Sequence, residues 1–317
     1  MDDASQTSER EISCEKAWDF LSELRRSHPR WLPPNEMASP WVFRGVPDAS
    51  YELVPSLYRP SVLEEGYYKE IRDHVSRSRM WNRSAWRRLS DNQERLVALV
   101  GLQCYEHACV RSFVMFADLV GLRPMSQDIG IFQALHPVFW GRHTGEYTPL
   151  QLAFAVARHH GINSSLLDFT LDPLVAAFFA SRLGDEKPHV SSSDRIAVWA
   201  INTSDEQFAD NVDVINPPRQ DNTYIRVQRG LFLRARTQEL TFLSSGEFKP
   251  LDRLPSLRHA VRKITLPKSE VTELQRLLFA EECHAAHLMP SLDNVKTCLD
   301  EWHKTRQAAA LMRESSS

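Results

Sequence analysis

The stretch ARHHGINSSLLDFTLDPLVAAFFA, residues 157–180, decides how the chain is read. A helical run through Ala153, Phe154 and Ala157 reaches His159-His160, and Gly161 supplies a left-handed residue to end it. Just upstream, Thr148-Pro149-Leu150-Gln151 has the form of a capping box with proline at the first helical position. Asp172-Pro173 opens a second helix in the same way. That helix is apolar nearly all round as far as Gly184, so it is expected to be buried. The residues between the two helices, 162–171, leave room only for a tight strand or turn.

Working outward, the pattern turns to β after a serine-rich loop at 191–193. Residues 196–201, 224–235, 240–243 and 260–266 are β-branched or alternating runs bounded by turn formers. Helices are predicted at 268–279 and 292–309. Toward the N-terminus, 14–27 reads as a helix with Trp18, Leu21 and Leu24 at three-residue spacing and Ser13 as its cap. Trp41-Val42-Phe43 predicts a short strand ending at Arg44-Gly45. From 64 to 122 the pattern is helical, and Leu96, Val100, Gln103 and His107 can share one face, with Leu99 and Tyr105 on others. Helices come mostly first and strands last, with one strand near residue 42. That order predicts an α+β fold with a mixed or antiparallel sheet, not a doubly wound parallel one. The expected organisation is one domain over 13–310 with a helical insertion at about 64–147, flanked by mobile polar ends at 1–12 and 311–317.

Composition narrows the function classes. The chain has 317 residues, 42% apolar and 25% charged, which is ordinary for a globular protein of one or two domains. Its 38 Lys and Arg against 41 Asp and Glu exclude a generally basic nucleic-acid coat, though not a local basic groove. Five cysteines without a CxxC spacing argue against a disulfide framework and fit a reducing cytosol. The first sixteen residues are acidic and polar, unlike a signal peptide, and no apolar run is long enough for a membrane span. A cytoplasmic protein without membrane contact is therefore expected.

Residues 69–95 form a basic stripe: Lys69, Arg72, Arg77, Arg79, Arg83, Arg87, Arg88 and Arg95, interleaved with Trp81 and Trp86. Aromatics among arginines can stack on bases while the cations meet phosphates. A solvated helical face with its tryptophans turned inward explains the same pattern, and is the commoner outcome. Cys283-His284 and His287 lack further ligands at zinc spacing, so no metal is expected. No G-x-S-x-G elbow supports serine hydrolysis.

Phe43-Arg44-Gly45 begins a series of motifs that resembles the FRG domain family. Leu53-Val54-Pro55-Ser56-Leu57-Tyr58-Arg59 resembles the family's L-x-PSL-x-R. Ala157-Arg158-His159-His160-Gly161 resembles AQHYG. Leu166-Leu167-Asp168-Phe169-Thr170 with Asp172-Pro173-Leu174-Val175-Ala176 and Phe179-Ala180 resembles RLLDWT-x-NPLVALYFA. Arg226-Val227-Gln228-Arg229-Gly230-Leu231-Phe232 resembles R-x-Q-x-G-x-F, and Lys263–Pro267 and Met289–Asp293 resemble the closing strand and turn. The likeness spans about 15–305. Asn163-Ser164-Ser165 stands where the family has Pro-Thr-Arg, and Tyr224 replaces another arginine.

The motif order is in turn similar to the ADP-ribosyltransferase superfamily. That similarity implies an ADP-ribosyltransferase-like sheet core, NAD as substrate and a protein or nucleic-acid acceptor. It further implies a bacterial toxin or anti-phage defence effector, with an antitoxin protein as a partner. The residues it implies as catalytic are Arg44, Asp168 and Gln228. Those it implies as NAD-binding are Phe43, Arg44, Gly45, His159 and Thr170. NAD hydrolysis and non-catalytic nucleotide or partner binding are the alternatives.

The residue types fit such roles and also plainer ones. An arginine fork grips a pyrophosphate, and glycine permits close backbone approach. A carboxylate or amide places the ribose hydroxyls. Gln228 can orient a hydroxyl but supplies no charge, and it stands where a catalytic acid is expected. Arg44 and Asp168 are equally suited to a buried ion pair, Thr170 to a turn hydroxyl, and Gln228 to a cross-link in the core. His159 and His160 are adjacent on a helix, so at most one is expected to enter a pocket.

Overall fold

The structure is a computed structural model that describes residues 10–78, 92–122, 149–182, 193–217, 219 and 222–315. Its centre is one seven-stranded mixed sheet. The strands are β1 (Glu11–Ser13), β2 (Trp41–Val46), β3 (Leu167–Thr170), β4 (Arg195–Asn202), β5 (Val212–Ile215), β6 (Gly230–Ala235) and β7 (Val261–Pro267), in the spatial order β1-β7-β4-β2-β3-β6-β5. Among the described strand pairs, only β1–β7 is parallel. The predicted α+β class holds.

Period-two alternation divides the central strands between two cores. Phe43, Val198, Ala200 and Ile264 pack on one side with helices α1 (Ala17–Glu23), α6 (Pro173–Ser181) and α10 (Val271–Ala280). Val42, Val46, Phe169, Trp199 and Leu233 fill the other. Between these come α2 (Pro60–Glu64), α3 (Gly66–Ser76), α4 (Gln93–Leu119) and α5 (Pro149–His159). Val110 and Val114 of α4 pack with Phe154 and Val156 of α5 and with Ile225 and Phe232. The chain is completed by α7 (Glu206–Asn211), α8 (Thr223–Val227), α9 (Gln238–Ser245), α11 (Ala285–Leu288) and α12 (Leu292–Ser315).

The local punctuation around 157–180 behaves as its chemistry dictates. Gly161 takes φ +86° and ends α5. The Asp172 carboxylate accepts from the Leu174 N–H at 3.0 Å and caps α6, with Pro173 at its start. Thr148, the expected cap of α5, lies outside the described residues. Gly45 is fixed by packing: a Cβ there would stand 1.9 Å from the carbonyl oxygen of Ala176, so α6 lies on the backbone of β2 itself.

Several expectations are corrected. Residues 224–235 are not one strand: Asn222 caps α8 by accepting from Ile225 N, and Arg229 at φ +50° turns the chain into β6. Residues 240–243 belong to α9, which Gly246 ends at φ +82°, not to a strand. Trp18 is 58% exposed while Phe20 takes its place in the core, because α1 buries Ala17, Phe20 and Leu21. Ser13 sits in β1 and Lys16 precedes α1, so Ser13 does not cap it. On α4 Leu96, Val100 and His107 are buried, as are Leu99 and Tyr105 on its other sides, while Gln103 is only half-buried. The strand at 41 continues through Gly45 to Val46. The sheet begins at residue 11, within the end expected to be mobile, and α12 runs through 311–315. Edge strands β1 and β5 were not legible, being three and four residues long. Of the basic stripe, Trp81, Trp86 and the arginines at 79, 83, 87 and 88 lie outside the described residues. No helix among the described residues is long and apolar enough to cross a membrane.

Candidate functional site

A cleft of about 460 Å³ opens where β2 and β3 separate. The two strands share a single register pair, Phe43 with Thr170. Past that pair the Arg44 side chain spans the gap. Its Nη1 donates to the Asp168 carbonyl oxygen at 2.7 Å and meets the Asp168 carboxylate at 2.7 Å. A guanidinium thus stands where a regular sheet would place ladder bonds.

A second cation closes on the same carboxylate. Arg158, on the last turn of α5, donates to Asp168 Oδ1 from Nε at 3.0 Å and from Nη2 at 2.7 Å. Its Nη1 donates to Ser56 Oγ at 2.9 Å. The two arginine side chains are only 12% and 13% exposed, whereas Asp168 is 48% exposed toward the cleft. Two cations against one anion leave this wall with a positive excess. Burial by itself would raise the Asp168 pKa, but the Arg44 and Arg158 guanidiniums hold the carboxyl well below the usual carboxylate range. Asp168 is therefore an anion throughout the physiological range and a weak proton acceptor.

Arg158 was absent from the sequence-predicted set. Its signal was the departure from AQHYG: an arginine replaces a glutamine one turn before a helix-ending glycine. No local rule places that side chain against a strand ten residues later.

The other wall is apolar and aromatic, with Phe179, Tyr224, Leu231 and Met289. His159 enters the cleft, its ring centroid 6.0 Å from that of Tyr224. Burial, aided by neighbouring His160, lowers the His159 pKa to about 4 although Asp168 opposes the shift. The ring is neutral at pH 7. His160 also reaches the cleft, contrary to the expectation that only one of the pair would. It stacks on Phe113 with centroids 5.6 Å apart.

Thr170 and Gln228 reach the cleft but are held by backbone. Thr170 Oγ1 donates to the Gln228 carbonyl at 2.6 Å and accepts from the Asp172 N–H at 3.0 Å. Gln228 Nε2 donates to the Leu288 carbonyl at 2.9 Å, tying the end of α8 to α11. Gln228 is not on a strand but follows α8, and its amide serves the cross-link. Phe43 lies on the cleft margin and is fully buried against Trp31, ring centroids 5.3 Å apart. Gly45 lines the cleft too, but its missing side chain makes room for α6. Among the described residues, no group of three or more His, Cys, Asp or Glu could hold a metal ion.

Residues 129–188 match the family model of the FRG domain. The described part of that segment contains α5, β3 and α6, and so Arg158, His159, Asp168 and Thr170. Arg44 and Gln228 lie outside it. No curated protein and no solved structure matches the chain.

Proposed function

We propose that this chain, which carries an FRG domain match across the heart of its cleft, binds NAD and transfers its ADP-ribose to a protein or nucleic-acid acceptor. The observation that carries the reading is the convergence of Arg44 and Arg158 on Asp168 beside an apolar, aromatic wall. A dinucleotide needs both halves of such a site: cations for its pyrophosphate and flat apolar surface for its rings.

In this reading the Arg44 and Arg158 guanidiniums grip the pyrophosphate, and neutral His159 lines the nicotinamide side with Tyr224. The bond between the ribose anomeric carbon and the nicotinamide nitrogen breaks, its electron pair leaves with nicotinamide, and positive charge develops on the sugar. The acceptor then supplies the pair that forms the new bond and loses its proton to solvent. Asp168 is too weak a base to take that proton; its role is to orient ribose hydroxyls and face the developing cation. Asp168 thus takes the place of the acid expected at 228. Proposed with this activity, on the resemblance alone, is a cytoplasmic toxin or anti-phage effector kept in check by a protein partner.

A second reading, nucleotide binding without chemistry, is favoured by one observation: the Gln228 amide is committed to Leu288. One experiment separates the two. Purified protein is incubated with adenylate-labelled NAD and with protein, RNA and DNA acceptors. Transfer of label to an acceptor is expected. Free ADP-ribose alone would make the chain an NAD hydrolase, binding without turnover would favour the second reading, and absence of binding would overturn both.

A further inference from the structure

Outside the cleft, Glu106 on α4 is a carboxylate only 1% exposed and far in sequence from every cleft residue. Its Oε1 accepts from Ser164 Oγ at 2.7 Å, from the Ser165 N–H at 2.6 Å and from Ser165 Oγ at 3.0 Å. Burial raises the Glu106 pKa to about 7 against the pull of these hydrogen bonds, so the group is ionised above that pH and holds three donors to one oxygen there. Here those bonds come from two successive residues, themselves buried, that lead directly into β3.

The connection runs on to the cleft. The Ser164 N–H donates to Ser56 Oγ at 3.1 Å, and the Leu57 N–H donates to the Ser164 carbonyl at 3.2 Å. Ser56 Oγ is also the acceptor of Arg158 Nη1. Three distant parts of the chain thus meet in one line of hydrogen bonds: Glu106, Ser164, Ser56, Arg158, Asp168. We propose that Glu106 is a positioning residue that sets the Arg158 guanidinium for an anionic ligand, acting through Ser164 and Ser56. The ligand half of this proposal rests on the nucleotide reading of the cleft; the positioning half does not.

The physical reason is geometric. Arg158 needs its fork aimed at Asp168 and at the space beside it, and a flexible side chain with one fixed partner can swing. Ser56 supplies a second fixed point. Ser56 is in turn held by the 164–165 segment, which Glu106 anchors. Glu106→Gln keeps the shape and an acceptor oxygen but removes the negative charge that the ionised form, dominant above about pH 7, presents to three donors at one atom.

Two measurements test this. The first is the Arg158 Nε–H resonance in arginine-labelled protein without ligand, with the Arg195 Nε–H, which bonds Thr265 Oγ1 at 3.1 Å, as an internal control. In Ser56→Ala and Glu106→Gln the Arg158 signal is expected to shift and to exchange with solvent at least ~5-fold faster, while Arg195 stays unchanged. An unchanged Arg158 signal in Glu106→Gln overturns the proposal whatever the cleft binds. The second is a double-mutant cycle read by calorimetry with ADP-ribose. Glu106→Gln is expected to weaken binding by ~3- to ~30-fold in the wild-type background and by less than ~2-fold in Arg158→Gln. An effect of equal size in both backgrounds means that Glu106 acts on the fold at large, which also overturns it. If wild-type protein does not bind ADP-ribose, the nucleotide reading fails and the resonance alone decides the positioning.

Discussion

At one end of the cleft Asp168 stands half open to solvent between two guanidiniums; at the other, Gln228 is buried and gives its amide to the backbone of Leu288. Asp168 lies within the matched residues 129–188 and Gln228 outside them, though both are expected from the sequence to act on the same ligand. The difference is in what each would leave behind. The Asp168 end is made of side chains whose charges can be shared with an incoming anion while the strands stay paired. The Gln228 end is made of a side chain that holds two helices together. The first is organised to exchange partners and the second to keep them.

The largest effect expected from breaking that contrast is at the charged end. Arg44→Ala should weaken NAD binding by ~100-fold or more, yet leave a single cooperative thermal transition, because Arg158 still neutralises Asp168. Calorimetry and a thermal melt check both parts; a variant that cannot fold would make the Arg44–Asp168 pair structural, the plainer role open to it from the start. At the amide end, Gln228→Glu places a carboxylate against the Leu288 carbonyl and removes its donor. Stability should fall by roughly 1–3 kcal/mol in a denaturant titration, with no gain in transferase rate. A gain in rate would show that the acid expected at this position works after all.

The smallest effect sharpens the contrast through pH. His159 is held neutral, with its pKa lowered to about 4 by burial, His160 and Arg158 against the pull of Asp168. In the unfolded chain an ordinary histidine takes up a proton below about pH 6.5. The unfolded state therefore binds more protons between 6.5 and 4, and stability present above 6.5 is lost as pH falls through that window. About 1 kcal/mol of it is lost between pH 7 and 5.5. His159→Gln should flatten the wild-type slope between pH 7 and 5.5 by that amount. Asp168, held far lower, should add nothing to the slope there. An unchanged slope in the variant would mean that His159 is open to water and not enclosed in the cleft wall.

Local chemistry made some of these features legible. Asp172-Pro173 had to begin a helix, Gly161 had to end one, and Trp41 to Arg44 had to be extended. The misread segments had signals too, but weak ones. Asn222 and Gly246 mark α8 and α9 as helices, yet the β-branched and aromatic residues between them alternate like a strand. Side-chain preference is decided by what a face packs against, and short elements carry too few residues for a period to show. Gly45 illustrates the same limit: the sequence suggests a close approach to a ligand, while the structure puts the Ala176 carbonyl, on a helix 131 positions away, where a Cβ would stand.

By itself the sequence determined an α+β chain, the caps around 157–180 and the presence of Arg44, Asp168, Thr170 and Gln228 as candidate polar groups. Tertiary structure alone decided that Arg158 joins Arg44 on Asp168, that Gln228 and Thr170 are spent on backbone, and that Glu106 anchors the serines beside the cleft. The physical reason is reach. Caps and periods act over one or two helical turns, whereas the meaning of a charge depends on which other charges and hydrogen-bond groups the fold brings within a few ångströms of it.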